Sequence, residues 1–396
     1  MKQPLPTLVE YEPCRFSSDL LTQQEGERLW LEYGALLDVS FPSPRTDWQW
    51  ELKSRGVVGH IPIGDGDVLR IRPRVPIKAI FKMWEIAYDV EPRLFPPMVG
   101  VESLEDFYSW LASQLAKQAL TRLRRGLYRE YLEETDRLPY VRGRLDVRHM
   151  IQRPWQVELD CTFQEHTADI EDNRLILAAL QVAAESAACS RIAARPVRHA
   201  YWQLQQSAVH AVQMSASRCL GRDYNRLNVD YRPMHTISHF LLSHTGPSEP
   251  SGERHLRAFV VSMPKLFETF VARWLRRQLP PAFRIDAQRS IAFGPDVSFV
   301  PDVVVRRRSD GTAVLVVDTK YKISATPAEA DVAQVVAYAT GLQCTEAVLL
   351  YPMADYKPLE SQVGSVRVRT LTFPLDADLD VSGVALLERM LPAMAN

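Results

Sequence analysis

Two apolar runs that each carry an aspartate constrain this chain more than any other feature. The stretch "VSFVPDVVVRRRSDGTAVLVVDTKYK", residues 297–322, holds one extended segment at 297–305 and a second at 313–318, joined by "RRRSDGT". Val-rich runs of this length between turn signals are strands, and the short polar joint makes them a hairpin. Further apolar runs at 346–351 and 367–373 supply more strands. A helix is predicted between the second and third, with Thr326 as N-cap, Pro327 at the first position and Glu329 completing a capping box. Gly341 is placed to end it. Preceded by the amphipathic helix "MPKLFETFVARWLRRQL", these elements make an α/β unit with a mixed sheet over residues 256–396.

A chain of 396 residues exceeds one ordinary core. Residues 1–98 read as a β-rich domain of short extended segments, followed by a helix over 77–90; "GDGD" at 64–67 lacks the spacing of a phosphate-binding fingerprint and reads as a hairpin turn. Residues 99–245 read as mostly helical. "SLEDFYSWLASQLAKQALTRLRRGLYREYL" has the period of one long amphipathic helix, and a second begins near Asp172 or Asn173. The Ser, Gly and Pro of "SHTGPSEPSGERH", 243–255, mark a linker. The fold class is therefore multidomain α+β: a β-rich N-terminal domain, a helical middle region and a C-terminal α/β domain.

With 46% apolar and 24% charged residues the chain is not globally disordered, and its net charge of −1 restricts any nucleic-acid contact to local patches. One such patch is the arginine cluster between Arg122 and Arg148, which reads equally as a solvated face. Cys14, Cys161, Cys189, Cys219 and Cys344 show no metal or redox spacing, and neither a signal peptide nor an 18-residue apolar run is present. A reduced cytoplasmic setting without membrane insertion is the expectation.

The chemistry concentrates at one sheet edge. Side chains alternate along a strand, so Asp318 and Lys320 of "VVDTKYK" share a face, and the hairpin brings Asp302 alongside. Two carboxylates at one edge repel unless a cation intervenes, which suits Mg²⁺, and a lysine beside that ion suits phosphodiester hydrolysis. D-x-K also arises by chance, and Asp302 after Pro301 also reads as a turn residue. Glu268, beside the apolar stripe of its helix, could reach the same ion or simply face solvent. Gln334 and Tyr338, spaced i, i+4, share a helix face, and Gln334 follows Lys320 by 14 positions.

"PD" at 301–302, "DTK" at 318–320 and "QVVAY" at 334–338 resemble the PD-(D/E)xK nuclease superfamily in its RecB-like form. The ordered blocks "IRPRVPIKAIFKMWEIAY", "VRGRLDV", "ADIEDNRLILAAL", "MPKLFETFVARWL" and "VVDTKYK" resemble, more narrowly, the McrC family of nuclease subunits in McrBC-type modification-dependent restriction systems. The resemblance implies Asp302 and Asp318 as metal ligands, a carbonyl from Thr319, Lys320 assisting the attacking water, Glu268 either as a further metal ligand or just behind the ligands, and Gln334 and Tyr338 in support. Lys322 is then a backbone-phosphate contact or a solvated neighbour. The resemblance also implies Mg²⁺ with Mn²⁺ as substitute, DNA carrying 5-methylcytosine as substrate, and an McrB-like AAA+ GTPase as partner, with assembly on partner hexamers. The first 98 residues would dock into that partner. The chain has no G-x-x-x-x-G-K-[ST], so no nucleotide site of its own is expected. A related defence nuclease with another motor or DNA signal, and an inactive DNA-binding scaffold, are the alternatives.

Overall fold

The computed structural model describes residues 5–64, 67–90, 100–152, 155, 157–251, 254–292, 298–322, 326–353 and 358–395. The chain divides into two units, Met1–Phe107 with Gly246–Asn396, and Tyr108–Thr245. The expected first and third segments thus belong to one unit, interrupted in sequence by the other.

The first unit opens with β1 (Leu8–Val9), β2 (Pro13–Phe16), α1 (Gln23–Tyr33), β3 (Leu37–Ser40), β4 (Trp50–Ser54), β5 (Val57–Ile63), β6 (Asp67–Arg72) and α2 (Ile77–Ala87). Helix α1 corrects the reading of extended segments alone. Its signal is "TQQE", in which the Thr22 hydroxyl accepts from the Glu25 N–H and the Glu25 carboxylate accepts from the Thr22 N–H. Strands β2, β4 and β3 form a small antiparallel sheet that closes over Phe16, Leu29, Tyr33 and Trp50. The "GDGD" turn is a hairpin turn, with β5 and β6 antiparallel and Ile63 opposite Asp67; Asp65 and Gly66 lie outside the described residues.

The second unit contains most of α3 (Leu104–Arg125), then β7 (Glu130–Leu138), β8 (Arg144–Leu145), α4 (Val147–Gln152), β9 (Leu159–Thr167), α5 (Glu171–Glu185), α6 (Arg191–Gln206) and α7 (Tyr231–Ser243). The long helix stops short of its predicted end. Gly126 takes φ +91 and its N–H reaches the Leu123 carbonyl, the geometry of a glycine C-terminal cap. Beyond this cap the chain enters strand β7, paired with β9 over nine residues, so this region holds a three-stranded sheet among its helices. Asn173 in the first turn of α5 is buried; its amide donates to the Tyr128 and Ala168 carbonyls, and its Oδ1 accepts from the Tyr231 hydroxyl.

The predicted linker at 243–255 is instead largely β10 (Thr245–Ser251) and the start of β11 (Arg254–Ser262), with Gly252 and Glu253 outside the described residues. These strands extend the first sheet to the order β1-β6-β5-β11-β10, where β10 is an outer strand and a proline's missing N–H costs little. Every residue of β5 is buried. Its Gly59 has φ +146, and a Cβ there would stand 1.9 Å from the Phe259 carbonyl oxygen of β11, so the two strands pair only because that position is glycine.

The remainder of the first unit is α8 (Met263–Gln278), β12 (Phe283–Ala287), β13 (Ile291–Ala292), β14 (Ser298–Phe299), β15 (Val303–Arg307), β16 (Ala313–Thr319), α9 (Glu329–Gly341), β17 (Glu346–Tyr351), β18 (Glu360–Val363), β19 (Val366–Thr372) and α10 (Leu379–Ala395). A six-stranded sheet of order β12-β15-β16-β17-β19-β18 is antiparallel at both ends and parallel from β16 through β17 to β19. This is the mixed sheet that the apolar runs predicted. Helix α9 covers one face, where Val335, Tyr338 and Ala339 pack with Val304, Val316 and Leu349. It starts later than predicted, with Ala328 as N-cap and no side-chain cap, and Asp331 in its first turn accepts from Lys322, three residues beyond β16. The chain is thus a mixed α/β protein with several sheets. Among the described residues, no helix is long and apolar enough to cross a membrane.

Candidate active site

The predicted residues converge where β15 and β16 meet α8 and α9. Val303 pairs with Val317, and the same register carried one residue further sets Asp302 opposite Asp318. Asp302 Oδ2 accepts two hydrogen bonds of 2.7 Å, from the Thr319 N–H and the Thr319 hydroxyl. The carboxylate of the first strand is therefore locked to the end of the second. Asp318 is 3% exposed, and its pKa is pushed up to about 6 by burial and by the Asp302 charge, against the pull of Lys320.

Lys320 Nζ lies 2.7 Å from Asp318 Oδ2, close enough for an ion pair although outside hydrogen-bonding geometry. It donates to Gln334 Oε1 at 2.9 Å, and Gln334 Nε2 donates to the Tyr338 hydroxyl at 2.6 Å. The i, i+4 pair on α9 thus forms a relay that aims the ammonium group. Asp331 stands 3.5 Å from the same Nζ. Burial works against the Lys320 charge, but Asp318, Asp331 and Asp302 outweigh it and hold its pKa above the ordinary value. Lys320 is a cation at any physiological pH.

Glu268, on α8, feels both aspartates. Burial, then Asp302, then Asp318 push its pKa up to about 7, only partly countered by Lys265. Its Oε1 is buried without a hydrogen-bond partner among the described residues. No group of three or more His, Cys, Asp or Glu side chains there is gathered into a ready-made cation site.

Three participants escape the sequence reading. Asp331 receives both Lys322 hydrogen bonds, at 3.0 and 3.1 Å, so Lys322 is a half-exposed neighbour whose ammonium group is paired with a carboxylate. Asp331 has a local signal, since it precedes Gln334 by three positions and shares its helix face. Glu10 and Tyr11 have none. Glu10 is fully buried and its Oε1 accepts from the Tyr321 hydroxyl at 2.8 Å, while the Tyr11 hydroxyl donates to the Tyr321 carbonyl at 2.6 Å. The residue between the two lysines is thereby clasped by the amino-terminal end of the chain.

The Arg122–Arg148 cluster divides. Arg122 pairs with Asp230 and Arg142 with Glu165, while Arg125, Arg129, Arg144 and Arg148 make no ion pair among the described residues.

The raised carboxyl groups have a thermodynamic consequence. Glu268 (4.5 to about 7) and Asp318 (3.8 to about 6) bind protons more tightly folded than unfolded. That contribution is complete below the unfolded values and lost as pH rises through about 6 to 7. Metal-free protein should show a melting temperature that declines across this window, and Glu268→Gln should flatten the decline by up to one proton's share. Identical slopes would remove Glu268 from the coupled set.

Paired strand-end carboxylates with a lysine held beside them are an arrangement that can hold a hard cation next to an anionic group. A family model for the McrBC 5-methylcytosine restriction system component matches residues 52–352, and the chain belongs to that family. Among solved structures, it is similar to a chain of the half-complex from a tetradecameric assembly of Thermococcus gammatolerans McrB AAA+ hexamers with bound McrC. Identity is 19%, the match covers 97% of this chain and 99% of that one, and the TM-score is 0.57, which shows a shared fold. A chain of the Thermococcus gammatolerans McrBC complex also matches, at 20% identity over 68% of this chain and 87% of that one, with a TM-score of 0.41. No curated protein matches the chain.

Proposed function

We propose that this chain is the endonuclease subunit of a 5-methylcytosine-dependent restriction system, with a PD-(D/E)xK site that hydrolyses DNA phosphodiesters beside an McrB-like AAA+ GTPase. The observation that carries the reading is Asp302 opposite Asp318 with Lys320 on the same face, held by Gln334. Family membership supports the setting, and the similar structure comes from an assembly of McrB hexamers with bound McrC. The lack of a phosphate-binding loop in this chain agrees with a motor supplied by a partner.

Asp302, Asp318 and the Thr319 carbonyl would hold Mg²⁺, or Mn²⁺ in its place, with Glu268 completing the shell. The fit rests on Glu268 Oε1, which lacks a hydrogen-bond partner among the described residues, and on the raised pKa values of Glu268 and Asp318, to which burial and the neighbouring carboxylate charges both contribute. Mg²⁺ commonly takes one or two carboxylates and keeps several waters, so a gathered three-carboxylate cage is not required. Bound there, a hard dication would offset the carboxylate repulsion and polarise the phosphoryl group.

The chain's own side chains do the positioning. Lys320 Nζ, fixed by Gln334 and Tyr338, would direct the attacking water and stabilise negative charge on a phosphoryl oxygen. As the water's oxygen bonds phosphorus and the opposite P–O bond breaks, the water's proton would pass to solvent or to the outward side of Glu268, and the leaving oxygen would take a proton from solvent.

The test is cleavage of 5-methylcytosine DNA by the full chain with its partner NTPase, nucleoside triphosphate and Mg²⁺. Cutting is expected only when all are present, and chelation should abolish it. Cutting unaffected by chelation, or none by an assembled and NTP-hydrolysing complex, would overturn the reading.

A further inference from the structure

The face of the six-stranded sheet that carries the carboxylates does not end at Asp302. Paired residues of antiparallel strands share a face, and β15 pairs Val304 with Asp286 and Arg306 with Arg284 of β12. Asp302, Val304 and Arg306 alternate along β15, so Arg284, Asp286 and Arg306 lie on the same face as Asp318 and Lys320. A cavity of about 380 Å³ opens there, floored by Val304 and walled by Pro301, the residue preceding Asp302. The backbone after β12 closes it, because the Gln288 N–H donates to the Asp302 carbonyl at 3.2 Å and brings Arg289 and Ser290 to the rim beside the aspartate.

The charge of this cavity is unbalanced. Arg306 is neutralised by Asp286, through Nε to Oδ2 at 2.9 Å, and its Nη1 donates to the Gly311 carbonyl at 3.0 Å. Arg306 is thus a wall fixed in place. Arg284 and Arg289 are exposed and make no ion pair among the described residues, so three guanidinium groups face one carboxylate. A pocket with two unspent guanidinium forks and a serine hydroxyl is built for phosphate oxygens, and its volume suits a nucleotide-sized group.

We propose that this pocket is a backbone-phosphate subsite, in which Arg284 and Arg289 grip the DNA strand to one side of the bond that is cut. The proposal rests on the nuclease reading above and adds a direction to it: the bound strand runs from the Asp302–Asp318 pair across β15 toward β12. No base edge need enter the pocket, so it would act on every sequence alike.

The experiment compares full-length wild type with Arg284→Ala/Arg289→Ala in two assays. The first is DNA affinity of the chain, without metal, across a salt series. The variant should bind at least tenfold more weakly at low salt, and its log–log salt slope should be smaller by about 2, since each phosphate contact contributes about 0.9. Arg284→Lys/Arg289→Lys should recover most of the slope, because lysine keeps the charge. The second assay is cleavage by the assembled complex, where the variant should need more DNA for half-maximal rate and keep its rate at saturation. Equal affinity and slope, with wild type cutting normally, would overturn the subsite and leave the nuclease reading standing. Wild-type binding that the variant loses, without cutting by either, would keep the subsite and overturn the nuclease reading. A mononucleotide bound by wild type and lost by the variant, with DNA affinity unchanged, would assign the pocket to a free nucleotide and overturn the strand proposal.

Discussion

Asp318→Asn should abolish DNA cleavage by the assembled complex, a loss on the order of a thousandfold or more, without unfolding the chain. The side chain is almost wholly buried, faces Asp302 across the strand pair and pairs with Lys320, so its charge is both costly to bury and central to the site. An amide of the same shape removes the repulsion and the desolvation cost while leaving Lys320 its contacts with Gln334 and Asp331. Melting temperature should therefore stay level or rise. Lys320→Met should likewise remove activity and leave Asp318 as a buried acid that protonates more readily. Cleavage above a tenth of wild type in Asp318→Asn would take the residue out of the catalytic set.

Tyr321→Phe should destabilise the first unit by about 1 to 3 kcal/mol, a large effect for one oxygen atom. The lost hydroxyl is the donor to Glu10 Oε1, and Glu10 is fully buried with its Oε2 already lacking a partner among the described residues. Among the described residues, only the backbone N–H of Arg74 would still donate to that carboxylate. Burial already pushes the Glu10 pKa up against the pull of Arg74 and Tyr321, and the variant should raise it further. Chemical denaturation of Tyr321→Phe, Glu10→Gln and the double variant forms a cycle that should show coupling of about 1 kcal/mol or more. Additive single effects would mean that the two residues are neighbours without a shared bond. Activity belongs in the same experiment, because Tyr321 is the residue between Lys320 and Lys322 and the Tyr11 hydroxyl holds its carbonyl.

The site is legible in the sequence wherever its chemistry follows a local period. Asp302, Asp318 and Lys320 fall on one face because side chains alternate along strands, and Gln334 with Tyr338 because four residues make about one helical turn. Signals that compete locally mislead. The helical period of α3 runs on past Arg125, yet Gly126 in the left-handed region ends it and β9 recruits the next segment as a strand partner. Thr326 carries the local N-cap signal, yet α9 begins at Glu329 after Ala328, with Asp331 of its first turn bound to Lys322.

By itself the sequence determined four strands of the six-stranded sheet, the carboxylate–lysine spacing and the family resemblance, all of which rest on residue type and short-range spacing. Only the tertiary structure decided that Glu10 and Tyr11 grip Tyr321 across some 310 positions of chain, that residues 245–251 are a strand, and that Arg284 and Arg289, without an ion pair among the described residues, line one cavity with Pro301. The physical reason is common to all three. Periodicity records which way a side chain points, whereas burial, charge balance and pairing depend on what the rest of the chain places opposite it.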